Sequence, residues 1–294
     1  MTTHLTAKLR VLDLFSGIGG FSLGLERTGG FETVAFCEIE EFPPRVLRKH
    51  WPNVPIYEDV RTLTDARLKA DGISVDVICG GFPCQGISEA GLRKGLQDPR
   101  SALWGEYARI IGEVRPFYVI VENVSELLRD GYGMGDVLGD LAKIGYDAEW
   151  HSIPAIALGA DHIRERIWIV AYPNGTGCKQ VHVSRRIKCQ AEMGQDAAAN
   201  YADTNGARLS RRVQTGAIRE DARNISAWIG LALSAAPAFP GLDGAGSPVL
   251  GRSEDGIPNR VDRMYALGNS VVPQIPEIIG RAILQAQEQM RIAA

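Results

Sequence analysis

The chain has 294 residues, of which 45% are hydrophobic and 23% charged, proportions typical of a globular enzyme. Its formal net charge of −3 excludes a bulk electrostatic attraction to nucleic acid, so any such contact requires a local basic surface. No apolar run approaches the roughly 18 residues of a membrane span, the N-terminus lacks a signal-peptide core, and the five cysteines show no paired spacing. These features predict a reduced cytoplasmic protein without a membrane anchor.

Residues 1–172 alternate between patterns typical of strands and of helices. The predicted strands are, in chain order, Leu9–Phe15, Thr33–Glu38, Asp76–Gly80, Phe117–Glu122, Ala148–Ile153 and Arg166–Ala171. The predicted helices are Gly19–Arg27, Glu41–His50, Ser101–Glu113 and Met134–Ile144. This alternation predicts an α/β fold with a doubly wound, mostly parallel sheet that helices cover on both faces.

The pattern changes after Tyr172. Residues 173–257 are rich in Gly, Asn, Arg, Ala and Pro and show weak periodicity, which predicts a small loop-rich inserted domain. Order returns from residue 258, with the segment Arg260–Gly268 and a helix from roughly Pro273 to Met290. We therefore expect three parts: a catalytic core of residues 1–172, the insert 173–257, and a C-terminal segment 258–294 that returns to the core.

Three strand ends in the first part favour a nucleoside ligand. The glycine-rich turn Asp13-Leu-Phe-Ser-Gly-Ile-Gly-Gly20 follows the first strand and opens a helix, although such a turn can also be only a tight connection. Glu38 ends the second strand, where an acid binds ribose hydroxyls in doubly wound folds, and Asp59 follows near a further strand end. Because the full Gly-x-Gly-x-x-Gly pattern is missing and Phe15 offers an apolar face, we expect adenosine without a pyrophosphate.

A second set of strand ends carries reactive groups. Cys84 follows the apolar strand that ends in Gly80, and Glu122 ends the next strand, where burial would raise its pKa. Arg164 and Arg166 lie two apart at the start of a strand, so alternation would place both on one face. A helix N-cap acid and a surface ion pair are the alternatives for Glu122 and for the arginines. Together a thiol, a carboxyl group and two arginines would suit nucleophilic attack on an electron-poor ring.

These residues resemble the DNA (cytosine-5) methyltransferase family, bacterial or phage type. The resemblance lies in five motifs that occur in the family's order: Asp13–Phe21, Gly81–Gln85, Glu122–Val124, Arg164–Arg166 and Gly268–Val271. It implies a Rossmann-like fold that binds S-adenosyl-L-methionine. The cofactor-binding residues that it implies are Phe15, Gly17, Gly19, Gly20, Glu38, Ile39, Asp59, Asn269 and Val271.

The resemblance also implies a reaction. Cys84 would attack C6 of a flipped-out cytosine, Glu122 would hold the N3 edge, and Arg166 with Arg164 would contact O2. The residues 85–100 would form a mobile lid, and residues 173–257 would be the target recognition domain. The candidate DNA contacts are Gln85, Ser88, Arg185, Arg186, Arg211 and Arg212, although basic clusters are also common on solvated surfaces.

The expected partner is double-stranded DNA, with a cognate restriction endonuclease possible in the same host and a monomer as the acting form. A tRNA cytosine-5 methyltransferase and a non-catalytic DNA-binding relative are the alternatives. His162 stands where relatives commonly carry Gln, and we expect activity to tolerate it. Cys178, His182 and Cys189 are too few and too irregularly spaced for a zinc site, so no metal is expected.

Overall fold

The computed structural model describes residues 7–83, 103–129, 133–158, 160, 162–174, 229 and 260–293. Its strands are β1 (Leu9–Leu14), β2 (Phe31–Cys37), β3 (Ile56–Tyr57), β4 (Val77–Gly81), β5 (Tyr118–Val124), β6 (Tyr146–Pro154) and β7 (Glu165–Pro173). Its helices are α1 (Gly20–Arg27), α2 (Pro43–His50), α3 (Asp65–Ala70), α4 (Leu103–Val114), α5 (Met134–Ile144), α6 (Arg260–Asn269) and α7 (Gln274–Ala293). Short 3-10 helices occupy Ser125–Leu128 and Ala155–Leu158.

The strands form one seven-stranded sheet in the order β3-β2-β1-β4-β5-β7-β6. The pairs from β3 to β5 are parallel, whereas β7 runs antiparallel to both β5 and β6. The doubly wound, mostly parallel sheet predicted from the sequence is therefore confirmed. β6 and β7 form an antiparallel hairpin, with Pro154 opposite Glu165. Antiparallel strands can be joined directly in this way, without a crossover helix between them.

Helices cover the sheet on both faces, as the strand pattern requires. Successive side chains of a strand point to opposite faces. Leu12, Ile78 and Val119 therefore share one apolar core with side chains of α3, α4 and α5. The neighbouring residues of the same strands, among them Val11 and Val77, pack with α1 and α7 in a second core.

Two short elements lie between α2 and β4, where the sequence analysis expected a strand end near Asp59 but gave no bounds. β3 has only two residues, too few to show a period, and α3 has six, with Thr64 accepting a hydrogen bond from the Arg67 amide at its N-terminus. The remaining predicted boundaries of the core all agree with the structure within two residues. Among the residues with described positions, no helix combines the length and apolarity needed to cross a lipid bilayer.

Candidate active site

The topology brings four strand ends to one edge of the sheet. β1, β2, β4 and β5 are parallel neighbours, so the segments that follow Leu14, Cys37, Gly81 and Val124 leave at the same edge. β7 runs the opposite way, and its first residues therefore also lie at this edge. In the register, Gly81 pairs with Glu122 and Arg166 pairs with Val124.

Glu38 joins the ends of β1 and β2. Its carboxylate accepts hydrogen bonds from the backbone N–H of Gly17 at 2.6 Å and of Glu40 at 2.8 Å. The side chain is buried, and burial raises its pKa, although the two amides oppose that shift. Each carboxylate oxygen can accept more than one hydrogen bond, so acceptor capacity remains beside the turn.

The turn after β1 leaves open space at one position. Gly17 has a φ of +51°, and a Cβ built there meets nothing within 4 Å. Next to Glu38, the Ile39 side chain is 62% exposed, so an apolar surface borders a buried carboxylate. Phe15, with a φ of +52°, packs part of its ring on Tyr107, at a centroid distance of 6.1 Å. Carboxylate, apolar surface and open space together suit a ligand with hydroxyl groups and a flat ring.

Gly19 and Gly20 lie against protein rather than against open space. A Cβ on Gly19 would lie 2.7 Å from the Trp51 ring, and one on Gly20 would lie 2.6 Å from the Val271 carbonyl oxygen. Both glycines therefore allow other segments to approach α1 closely. Val271 therefore lies beside the start of α1, next to the glycine-rich turn, and Asn269 two residues earlier is exposed at the end of α6.

Asp59 has a protein partner that the sequence analysis missed. Arg61 donates to both carboxylate oxygens of Asp59, with Nε to Oδ1 at 2.9 Å and Nη2 to Oδ2 at 2.7 Å. These hydrogen bonds lower the pKa of Asp59, which therefore stays ionised. An adenine amine would have to share this carboxylate with Arg61. The arginine two residues after the acid is the sequence feature that could have predicted this ion pair.

Glu122 and Arg166 form an ion pair at the end of β5. Arg166 Nε lies 3.1 Å from Glu122 Oε1, and both side chains are largely shielded from solvent. Burial raises the pKa of Glu122, against the opposing charges of Arg166 and Arg164. Its second oxygen, Oε2, faces Gly81, where a Cβ would lie only 2.6 Å away. Glycine at position 81 thus leaves room for the carboxyl group.

Asn123 was not predicted as a functional residue, yet it fixes the loop that leads to Cys84. Its Nδ2 donates to the Phe82 carbonyl oxygen at 3.1 Å, and its Oδ1 accepts from the Val124 amide at 2.8 Å. The side chain is buried. This contact holds the chain two residues before Cys84, in a position set by β5. Its place inside the Glu122–Val124 motif was the signal that could have identified it.

The extended geometry expected for Arg164 is wrong. Its φ is +28°, and β7 begins only at the next residue, so strand alternation does not relate Arg164 to Arg166. Instead, Arg164 Nη1 donates to the Gly268 carbonyl oxygen at 2.6 Å and Nη2 to that of Ser270 at 2.7 Å. Arg166 therefore contacts Glu122, whereas Arg164 donates two hydrogen bonds to the backbone of the C-terminal segment.

Several predicted residues lie outside the described part of the chain. They are Cys84, Gln85, Ser88, Arg185, Arg186, Arg211 and Arg212, together with the predicted lid 85–100 and nearly all of the predicted insert. Their roles stay predictions. Within the described ranges, no group of three or more His, Cys, Asp or Glu side chains could hold a metal ion.

Comparison with known proteins identifies the family. The model of the C-5 cytosine-specific DNA methylase family matches residues 9–237, well over half of the chain. The type II methyltransferase M.CviJI of Paramecium bursaria Chlorella virus IL3A is 36% identical over 163 residues, which are 55% of this chain and 42% of the relative. M2.BsuMI of Bacillus subtilis (strain 168) is 32% identical over 169 residues, with the same two coverages.

A solved structure shares the fold. A putative DNA modification methyltransferase encoded within an E. coli prophage superposes with a TM-score of 0.50 at 28% identity, covering 56% of this chain and 47% of that one. The chain thus spans less than half the length of each of these three proteins. The resemblance inferred from the five motifs is confirmed, and the chain belongs to the C-5 cytosine-specific DNA methylase family.

Proposed function

We propose that this chain transfers a methyl group from S-adenosyl-L-methionine to C5 of a cytosine flipped out of double-stranded DNA. The observation that carries the proposal is the Glu122–Arg166 pair, which lies at the edge where β4 leads into Pro83 and Cys84. The family match and the type II methyltransferase relatives support DNA as the substrate.

Members of this family use S-adenosyl-L-methionine as methyl donor. The sheet edge around Gly17, Glu38 and Ile39 suits that molecule. The buried Glu38 carboxylate can accept from ribose hydroxyls, and the exposed Ile39 side chain offers an apolar surface for adenine. Gly17 leaves the space that both contacts require. The cofactor supplies an electrophilic methyl group, and Asp59, Asn269 and Val271 would complete its binding site.

Cys84 supplies the nucleophile in this proposal. Cytosine C5 is a poor nucleophile until the Cys84 thiolate adds to C6, because that bond turns the ring into an enamine. C5 then accepts the methyl group, the C5 proton leaves to a base, and the C6–S bond breaks to return the thiolate. Only a thiolate can begin this sequence, so the reaction depends on its ionisation.

Glu122 and Arg166 would act on the ring itself. Burial raises the pKa of Glu122, which favours the protonated acid that can donate to N3 of cytosine. Donation to N3 stabilises the electron density that the thiolate pushes into the ring. Arg166 holds Oε1 of Glu122 and can donate to O2 of the base, so the pair would orient both edges of the pyrimidine.

DNA recognition would lie elsewhere in the chain. A base inside a duplex is inaccessible, so it must be flipped out at a cost of about a few kcal/mol. Gln85 and Ser88 would contact DNA beside the flipped base, and Arg185, Arg186, Arg211 and Arg212 would contact the duplex from the insert. A cytoplasmic monomer, and a cognate endonuclease in the same host, remain predictions.

Transfer of a labelled methyl group tests the proposal. Tritiated S-adenosyl-L-methionine is incubated with the protein and either duplex DNA or tRNA, and the labelled nucleoside is identified after digestion. We expect 5-methyldeoxycytidine from DNA alone, and no label with Cys84→Ala. Label in tRNA would favour the RNA alternative, and no label in either polymer would favour a non-catalytic relative.

A further inference from the structure

Arg164 binds the backbone on both sides of Asn269. Its two terminal nitrogens donate to the carbonyl oxygens of Gly268 at 2.6 Å and of Ser270 at 2.7 Å. Hydrogen bonds from a charged donor are roughly twice as strong as neutral ones. The planar guanidinium can hold two carbonyl groups at once, which a lysine ammonium cannot do with the same geometry. The backbone around Asn269 is therefore held from the β7 side.

α1 also packs closely on the same segment. A Cβ on Gly20 would lie 2.6 Å from the Val271 carbonyl oxygen. A Cβ on Gly24 would lie even closer to the Pro273 carbonyl oxygen. The two glycines are four residues apart, so both lie on one face of α1. The backbone of residues 268–273 thus contacts both the glycine face of α1 and the guanidinium of Arg164.

Arg164 also adjoins the ion pair of the candidate active site. Burial and, to a smaller extent, the charge of Arg166 lower the pKa of Arg164, whereas the charge of Glu122 opposes that shift. Its φ of +28° is uncommon for a residue with a side chain, and such conformations persist only where the surroundings enforce them. This turn directs the side chain away from the alternation of β7 and toward the C-terminal segment.

We propose that Arg164 is a positioning residue for the cofactor site, which acts through the backbone of Asn269, and not a contact to the cytosine base. This inference rests on the proposed function, since Asn269 and Val271 border the edge where S-adenosyl-L-methionine would bind. The two arginines of the motif then have different roles. Arg166 contacts the base together with Glu122, whereas Arg164 supports the binding site of the methyl donor through its hydrogen bonds to Gly268 and Ser270.

Two matched substitutions, Arg164→Lys and Arg166→Lys, separate these roles. Both keep the charge and remove the guanidinium. With Arg164→Lys we expect the Kd and KM for S-adenosyl-L-methionine to rise about tenfold, while kcat at saturating cofactor and the KM for DNA stay near the wild-type values. With Arg166→Lys we expect kcat to fall and the cofactor Kd to stay unchanged. An unchanged cofactor Kd in Arg164→Lys, together with a lower kcat, would overturn the proposal.

Hydrogen exchange supplies a readout that does not depend on any ligand. Amide exchange in residues 268–273 is expected to quicken in Arg164→Lys and to stay unchanged in Arg166→Lys, because only the first loses the two backbone contacts. Unchanged exchange in both variants would refute the positioning role. If wild-type protein binds no S-adenosyl-L-methionine, the proposed function fails, whereas faster exchange in Arg164→Lys would still support the structural part of this inference.

Discussion

The contact between α1 and the C-terminal segment gives the sharpest test by substitution. Gly24 is buried in α1, and a Cβ on it would lie 2.1 Å from the Pro273 carbonyl oxygen and 2.9 Å from Pro276 Cβ. Both distances are shorter than van der Waals contact allows, and the nearer atom belongs to the backbone. Gly24→Ala must therefore shift the segment that carries Asn269 and Val271 away from α1.

The expected magnitude combines two opposing effects. Alanine in place of glycine inside a helix stabilises by about 1 kcal/mol. Overpacking of a well-packed interior costs about 1–3 kcal/mol, and more where backbone must move. Because the clash involves a backbone carbonyl oxygen, we expect the cost to lie near the upper end of its range, with a net loss of about 2 kcal/mol in the free energy of unfolding.

Gly139→Ala and Gly112→Ala are the matched controls. Gly139 lies in α5 with nothing within 4 Å of its virtual Cβ, and Gly112 lies in α4 with only an ordinary contact at 3.9 Å. Urea denaturation of all three variants should show the controls at or above wild-type stability. The cofactor Kd should rise in Gly24→Ala alone, because only that substitution displaces the C-terminal segment.

An equal stability of Gly24→Ala and Gly139→Ala would refute this reasoning. Such a result would mean that the segment after Asn269 does not pack on α1 as described. A destabilised Gly24→Ala with an unchanged cofactor Kd would have a narrower meaning: the packing would stand, but its link to the cofactor site would not.

Three further predictions concern buried polar side chains. Glu122→Gln should lower kcat about 10²–10⁴-fold, the usual range for loss of a general acid, with the cofactor Kd unchanged, as steady-state kinetics and calorimetry would show; an unaltered kcat would contradict the assigned role. Asn123→Leu should leave the buried Phe82 carbonyl without its donor, cost about 1–3 kcal/mol in unfolding free energy, and lower kcat, whereas wild-type kcat would exclude a positioning role. Burial raises the pKa of Asp13 from 3.8 to about 8, so the protonated form stabilises the fold fully below pH 4 and that stability is lost as pH rises toward 8, by at most about 6 kcal/mol. Urea denaturation at pH 5 and 8 should therefore show a smaller loss for Asp13→Asn than for wild type, and equal losses would contradict the burial effect.

The strand ends of the site could be predicted from the sequence because apolar runs reveal where strands stop. Glu38 and Glu122 each close such a run, and parallel strands bring those ends to one edge. The positions of Gly19 and Gly20 against Trp51 and Val271 could not, since a glycine pattern does not distinguish a ligand from another segment.

The direction of Arg164 also could not be predicted. Spacing of two residues places side chains on one face only if the backbone is extended, and Arg164 has a positive φ. The hydrogen bonds that compensate for this conformation come from residues 268 and 270, more than 100 positions later. A local pattern contains no information on such a contact.

The most direct test of the central claim is the nucleoside composition of host DNA after expression of the protein. The account predicts that mass spectrometry finds 5-methyldeoxycytidine with the wild-type chain and none above background with Cys84→Ala, at equal protein levels. Bisulfite sequencing of the same DNA would then give the recognised sequence. Methylation at N4 of cytosine or N6 of adenine, or 5-methyldeoxycytidine that persists in Cys84→Ala, would contradict it.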